Sequence, residues 1–120
     1  MKLTRHESNG TAYALVSGDD VVIFDAQSAL DLLISAKYDA DTQNVIIPKE
    51  LVTEDFFILS TRLAGEILQK YVNYGGRIAI YGDYSCYTSK PLKDFIYESN
   101  KGKNAFFVPT LDEAVEKITG

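Results

Sequence analysis

A loop dense in hydroxyl and aromatic side chains follows the apolar pattern of residues 77–81. Its candidate contact residues are Asp83, Tyr84, Ser85, Ser89 and Lys90. Ligands of open parallel sheets bind beyond the carboxyl ends of the strands, and the free N–H groups of a following helix favour anions. We therefore expect a site for a small ligand or a peptide here. The competing interpretation is a structural turn, in which Asp83 and Ser85 bond to local backbone and Ser89 caps the helix.

Charged side chains of the preceding segment form a second candidate site. Arg62 and Glu66 are four residues apart and so share one face of a helix. With Asp55, Asp83 and Glu98 they could form an ion-pair cluster at the same edge of the fold. Paired carboxylates in a cleft can act as acid and base, but carboxylates at this spacing are more typical of a solvated face.

The remaining chemistry-bearing residues predict no catalytic or metal site. His6 is the single histidine and lies in a weak edge strand, and no His, Cys, Asp or Glu spacing resembles a zinc site. A nucleophile pair of Cys86 and His6 would require the two to meet in space, which no pattern indicates. The glycines match neither phosphate-binding motif, since there is no GxxxxGK and no GxGxxG. We predict no cofactor, and a non-enzymatic protein is favoured over an enzyme.

Length and charge narrow the class of protein. The 120 residues are enough for one domain over residues 1–120 with a real core. A net charge of −5 argues against binding a nucleic-acid backbone. No apolar run approaches the length of a membrane span and no leader pattern is present, so we expect neither membrane insertion nor secretion. A single cysteine fits a cytoplasmic protein.

The charge is unevenly distributed along the chain. Residues 1–60 carry 4 basic and 10 acidic side chains, whereas residues 61–120 carry 8 basic and 7 acidic ones. An anionic partner or ligand would therefore be better accommodated by the second half of the chain.

The segment from Thr53 to Asp83 is the centre of the predicted fold. Apolar residues three or four apart predict one long helix over residues 54–74; they are Phe56, Leu59, Leu63, Ile67, Tyr71 and Tyr74. Four further apolar residues widen that face, which is typical of a helix packed between two layers. Gly75-Gly76 predicts the end of the helix, and residues 78–80 predict a strand covered on both faces.

Strands and helices alternate through the rest of the chain. The predicted strands are residues 2–8, 13–17, 21–24, 44–47, 77–81 and 105–108, and further helices follow Asp25, Ser89 and Thr110. Asn9-Gly10 predicts a hairpin turn between the first two strands. Together these elements predict an α/β fold: a mixed, mainly parallel sheet of five to six strands with an N-terminal antiparallel hairpin and four helices.

This order of elements, most clearly from Asn44 to Ile118, resembles a STAS-type domain, the fold of bacterial anti-anti-sigma factors. Three stretches resemble a small bacterial family known only as a domain of unknown function (number 4180) more closely; they are residues 26–33, 63–71 and 82–103. The second resemblance implies no activity.

The STAS resemblance implies control by phosphorylation. In those regulators a serine or threonine at the start of the second helix is phosphorylated, and this controls binding to a partner kinase. The matching residues here are Ser60 and Thr61. Leu59 stands where that family usually has an aspartate, and Arg62 where it has a small residue. The alternative is that both hydroxyls are ordinary helix residues facing a neighbour or solvent.

The sequence favours a regulatory or protein-binding module of STAS-like type. We expect it to recognise a protein partner through helix 54–74 and loop 82–90, and an exposed strand edge or helix face could also make it a homodimer. The alternative is a small-molecule sensor or small enzyme that uses the same loop. A concave pocket joining Asp83, Arg62 and Glu66 would favour that alternative, and a flat surface would favour the partner module.

Overall fold

A single five-stranded sheet organises the computed structural model, which describes all residues from Met1 to Gly120. Its strands are β1 (Lys2–Ser8), β2 (Thr11–Ser17), β3 (Asn44–Pro48), β4 (Arg77–Tyr81) and β5 (Ala105–Val108). They lie in the order in which they occur in the chain. The first two strands are antiparallel and every later pair is parallel. The predicted mixed, mainly parallel sheet with an N-terminal hairpin is confirmed.

Four α-helices cover the two faces of the sheet unequally. They are α1 (Ala26–Asp39), α2 (Leu63–Asn73), α3 (Lys90–Lys101) and α4 (Leu111–Thr119). Buried residues of α1, α2 and α3 share one hydrophobic cluster, whereas α4 alone covers the other cluster. Side chains of β3 alternate between these two clusters, as the pleat of a strand requires. No helix is long and apolar enough to cross a membrane.

Local capping signals predicted several element ends correctly. Asn9 and Gly10 both have positive φ, 52° and 77°, which is the backbone of the hairpin turn predicted for this dipeptide. Asp25 caps α1 and Ser89 caps α3 through their side chains. Gly75 has φ +70° directly after the end of α2, because a helix stop of this kind needs the left-handed region.

The strand predicted over residues 21–24 is wrong, which leaves the sheet with five strands. This segment makes one isolated bridge, between Ile23 and Val52. The N–H groups of Val22 and Ile23 both donate to the Leu51 carbonyl, and the Thr53 N–H donates to the Ile23 carbonyl, so a few bonds to residues 51–53 hold the segment without forming a regular ladder. Short apolar runs of this kind are ambiguous in sequence, because buried loops share their composition.

The long helix predicted over residues 54–74 is also wrong in its first half. Within this span two 3₁₀ turns precede α2, and we call Glu54–Phe57 the first and Leu59–Thr61 the second; a further one, Lys49–Leu51, directly follows β3. The extended backbone of Ile58 (φ −103°, ψ 98°) and the left-handed backbone of Arg62 (φ +65°, ψ 3°) interrupt the helical path. The α-helix therefore begins only at Leu63.

The prediction that the central helix lies between two layers is wrong as well. The fully buried residues of α2 are Ala64, Ile67 and Tyr71, whereas Val72 and Tyr74 are each 48% exposed. The helix therefore covers the sheet with one face. The Tyr71 hydroxyl donates to the Ala29 carbonyl at 2.9 Å and so ties α2 to α1.

Candidate functional site

The predicted loop begins where two neighbouring parallel strands end. Pro48 of β3 lies opposite Tyr81 of β4 in the sheet, so the residues that follow each strand are close together. A Cβ atom added to Gly82 would lie 2.6 Å from the Lys49 Cβ, so only glycine allows the loop to pass Lys49. The sequence therefore brings loop 82–90 directly against Lys49, which the sequence analysis did not include in the site.

Lys49, Glu54 and Tyr87 form a compact polar cluster at this rim. The Lys49 Nζ is 3.2 Å from Glu54 Oε1 and 4.8 Å from the centre of the Tyr87 ring. The Tyr87 hydroxyl donates to the Glu54 carboxylate, at 3.0 Å from Oε2. The Lys49 side chain is only 14% exposed, so its ammonium is held mainly by these two partners.

The environment of Lys49 keeps the side chain protonated. Burial alone would lower the pKa of Lys49, but contact with Tyr87 and the hydrogen bond to Glu54 outweigh burial and raise the pKa above its usual value. A lysine that acts as nucleophile or base needs a lowered pKa. This cluster therefore suits a structural cation better than a catalytic amine.

Aromatic packing anchors loop 82–90 onto the first 3₁₀ turn. The Phe57 ring stacks on Tyr87 at 5.3 Å between centroids and meets Tyr84 edge-on at 5.8 Å. The Tyr84 hydroxyl donates to the Ile80 carbonyl at 2.8 Å, and burial raises the pKa of that phenol. Tyr84 is thus a packed, uncharged part of the loop.

The remaining predicted loop residues have local partners. Asp83 Oδ1 accepts from the Ser85 N–H at 2.8 Å, and hydrogen bonding by Ser85 holds the pKa of the exposed Asp83 carboxyl below its usual value. The Ser89 hydroxyl accepts from the Leu92 N–H. Lys90 pairs with a carboxylate one helical turn away, 2.7 Å from Asp94. These are the contacts of the structural-turn interpretation.

The start of α2 has a different character, because its backbone is strained. Arg62 has φ +65° and ψ 3° at the N-cap of the helix, and its side chain makes no capping hydrogen bond. A residue other than glycine in the left-handed region loses stability through its Cβ. Strain of this kind persists where the surrounding structure enforces it, and it is concentrated at functional sites.

The two predicted phosphorylation candidates differ in their surroundings. Thr61 Oγ1 lies 2.8 Å from both the Asp55 and Ile58 carbonyl oxygens and accepts from the Leu63 N–H. Thr61 therefore holds the two 3₁₀ turns against α2. Ser60 is exposed, and its hydroxyl is outside this hydrogen-bonded arrangement. It lies directly before the helix and not inside it, contrary to the predicted helix over residues 54–74.

An exposed apolar residue lies in the same stretch of chain. Ile58 is 50% exposed at the junction of the two 3₁₀ turns. Arg62 and Glu66 both line a shallow depression of about 540 Å³ along α2 and the start of α1. We call Ile58, Ser60, Arg62 and Glu66 the α2 entry surface.

The predicted ion-pair cluster is wrong. Arg62 pairs with none of the carboxylates proposed for it, and Glu98 pairs with Lys101 instead, at 3.8 Å. Asp83 is in the loop turn, and Asp55 supplies only its backbone carbonyl to Thr61. Arg62 and Glu66 therefore lie together in one depression, without Asp83.

The largest depression, about 650 Å³, lies between α3, β5 and α4. Its most buried cation, Arg77, donates to the carbonyl oxygens of Lys103 and Ile118, each at 2.8 Å. The second of these carbonyls belongs to the last turn of α4, where cations are favoured. Arg77 thus stabilises a helix end. No group of three His, Cys, Asp or Glu side chains could hold a metal ion.

The model of one protein family covers almost the whole chain. It is described as a domain of unknown function, DUF4180, and it matches residues 8–118. The chain belongs to the DUF4180 family. No curated protein and no solved structure matches it. Both the rim cluster at Lys49 and the α2 entry surface lie inside the matched DUF4180 domain.

Sequence reasoning missed three residues of this DUF4180 domain that contribute to its surfaces: Lys49, Glu54 and Ile58. Lys49 had a usable signal, because it is the second residue after the strand predicted over residues 44–47 and such positions line sites. Ile58 had no such signal, because its spacing fits a buried helix face as well as an exposed position.

Proposed function

We propose that this DUF4180 domain is a non-enzymatic regulatory module that binds a protein partner through the α2 entry surface. A cytoplasmic bacterial regulator of STAS-like type is the finer form of this proposal, supported by the order of the elements and by the position of Ser60 before the second main helix. The observation that carries it is Arg62, a charged residue in a left-handed conformation that has no ion-pair partner in the chain.

The composition of the surface fits a protein partner. Exposed Ile58 supplies apolar area, and Arg62 and Glu66 supply one charge of each sign within the same depression. Arginine is enriched among the interface residues that contribute most to binding energy. The depression is wide and shallow, which suits a protein surface better than an enclosed small molecule.

The competing proposal, a sensor or enzyme that uses loop 82–90, requires the loop side chains to be available to a ligand. Asp83, Tyr84 and Ser89 instead accept or donate hydrogen bonds within the chain. Lys49 stays charged beside Glu54. These contacts favour the protein-binding module.

Phosphorylation at Ser60 would regulate this surface directly. A phosphate adds nearly two negative charges, and Ser60 is two residues before the positively charged Arg62 in the chain. Thr61 is the poorer acceptor, because its hydroxyl holds the two 3₁₀ turns. With ATP and the kinase from the source cell, mass spectrometry should find phosphate on Ser60, and Ser60→Ala should abolish it. Phosphate on Thr61 alone would contradict this assignment.

Affinity capture tests the partner surface. Tagged protein should retain a defined partner from a lysate of the source cell, and Ile58→Asp or Arg62→Glu should each reduce the amount retained at least tenfold. Lys117→Glu is the matched control, because it reverses a charge of the same sign on α4, on the opposite face of the sheet. If both entry-surface variants retain the partner as well as the control does, this surface is not the binding site.

A further inference from the structure

The two edges of the sheet are protected in different ways. The β5 edge has four residues, and the Asn100 side chain occupies its outward backbone groups. The Asn100 amide donates to the Phe107 carbonyl at 2.9 Å, and its oxygen accepts from the Phe107 N–H at 2.7 Å. A side chain therefore takes the place of a further strand at this edge.

The β1 edge has no such cover. This strand is seven residues long, and it pairs with β2 without a bulge from Lys2 opposite Ser17 to Ser8 opposite Thr11. It contains no proline, and β2 is the only element against which it packs extensively. A long, regular edge of this kind presents a row of free N–H and C=O groups that can pair with another strand.

Two opposite charges lie on one face of this edge. Arg5 Nη2 is 3.5 Å from Glu7 Oε2, and their side chains are 42% and 61% exposed. Residues two apart on a strand point to the same face. A partner strand that presented the reverse order of charges would therefore be attracted at both positions.

A second copy of the chain presents that reverse order. When two edge strands pair antiparallel, the residues that bond across the pair are those whose N–H and C=O groups point away from their own sheet, and these residues must lie opposite one another. Along one strand, every second residue is of this kind. A two-fold axis relating two β1 strands must therefore pass through a residue. An axis at Arg5 or at Glu7 places that residue opposite the same residue of the other copy, so like charges meet. An axis at Thr4 places neither Arg5 nor Glu7 opposite a residue of the opposite charge. An axis at His6 places Arg5 of each copy opposite Glu7 of the other.

We propose that the protein forms a homodimer by antiparallel pairing of β1 with β1 of a second copy, with the two-fold axis at His6. Residues 4–8 of each copy then pair with residues 8–4 of the other and extend the two sheets into one of ten strands. Arg5 and Glu7 of both copies form a network of four alternating charges. This dimer shares no residue with the α2 entry surface, so it stands or fails separately from the proposed function.

Charge reversal with mixing tests the register. Analytical ultracentrifugation of the full chain should show a concentration-dependent dimer. Arg5→Glu and Glu7→Arg should each raise the dimer dissociation constant about tenfold or more, because both cross-strand pairs become repulsive. An equimolar mixture of the two variants should recover the wild-type affinity, since each copy then meets opposite charges on the other. Mixing cannot restore the Arg5–Glu7 pair inside one chain, so recovery reports contact between copies.

The control uses a matched ion pair elsewhere. Lys101→Glu and Glu98→Lys reverse an exposed pair on α3 and should leave the dissociation constant unchanged. A wild-type chain that is monomeric at every concentration, or a mixture without recovery, overturns the proposal. If a variant fails to fold, amide hydrogen exchange of the wild-type protein at several concentrations tests the dimer instead. Alternate β1 amides should gain protection as concentration rises, and unchanged exchange overturns the dimer.

Discussion

The ammonium of Lys49 lies 4.8 Å from the centre of the Tyr87 ring, at the point where β3 ends and loop 82–90 passes. The same ammonium is 5.2 Å from the centre of the Phe57 ring. One cation therefore joins the loop to the first 3₁₀ turn through two aromatic faces. This contact, together with the Glu54 carboxylate, fixes the rim of the sheet.

Removing the Tyr87 ring should loosen this rim measurably. We expect Tyr87→Ala to lower the free energy of unfolding by about 1–2 kcal/mol, because the stacking on Phe57 and the cation contact are lost together. Tyr87→Phe should cost only about 0.5–1 kcal/mol, since it keeps the ring and loses one hydrogen bond to the exposed Glu54. Urea denaturation measures both. Tyr97→Ala, at a tyrosine that is 62% exposed, is the control and should stay within about 0.5 kcal/mol of wild type.

Alkaline pH should destabilise the protein through its buried phenols. Burial raises the pKa of Tyr71 and of Tyr84 above the ordinary value of about 10. Above that pH the unfolded chain loses these protons while the folded protein keeps them. The unfolded state then binds fewer protons, so the free energy of unfolding falls as pH rises, by about 1.4 kcal/mol per pH unit for each phenol. Below a pH of about 10 the folded and unfolded states both keep these protons, so the phenols make their full contribution to the free energy of unfolding.

Tyr71→Phe isolates one of these contributions. Above a pH of about 10, the slope of its free energy of unfolding against pH should be smaller than that of wild type by about 1.4 kcal/mol per pH unit. At lower pH the variant should be about 1–2 kcal/mol less stable, because the hydrogen bond from the Tyr71 hydroxyl to the Ala29 carbonyl is lost. Ile67→Val lies on the same buried face of α2 and carries no ionisable group, so it should keep the wild-type slope. Equal slopes for Tyr71→Phe and wild type in urea titrations would contradict the assignment.

Elements with strong local chemistry could be predicted from the sequence, because their determinants are neighbours in the chain. The hairpin at Asn9-Gly10 and the caps at Asp25 and Ser89 are of this kind. The break before α2 is not, since it depends on Phe56 packing against Phe107, at 5.9 Å between ring centroids. Spacing alone could not show that this distant contact outweighs helix continuity.

The candidate site likewise has one part that could be predicted from the sequence and one part that could not. The position of Arg62 and Glu66 in one depression followed from their spacing. The cluster of Lys49, Glu54 and Tyr87 did not, because Tyr87 and Glu54 are 33 residues apart and meet only through the parallel register of β3 and β4. The left-handed backbone of Arg62 is likewise a tertiary outcome, imposed by the 3₁₀ turns before it.

The two hydroxyls before α2 should differ in their effect on stability. Thr61→Ala should lower the free energy of unfolding by about 1 kcal/mol, because the Leu63 N–H loses its acceptor and the hydroxyl no longer donates to a carbonyl oxygen of the preceding turns. Ser60→Ala removes an exposed hydroxyl and should change stability by less than about 0.5 kcal/mol. Thermal or urea unfolding of both variants measures this difference. Equal losses would show that Ser60 also has a structural role, which would weaken its assignment as the modified residue.

Substitutions at Arg62 should separate stability from binding. Glycine adopts the left-handed region without a Cβ penalty, so Arg62→Gly should be about 0.5–1 kcal/mol more stable than Arg62→Ala. This order is the reverse of the one expected at an ordinary helical position, where alanine is favoured. Both variants lack the guanidinium, and both should bind the partner more weakly than wild type. A partner bound as tightly by Arg62→Gly as by wild type would mean that the Arg62 side chain has no part in recognition.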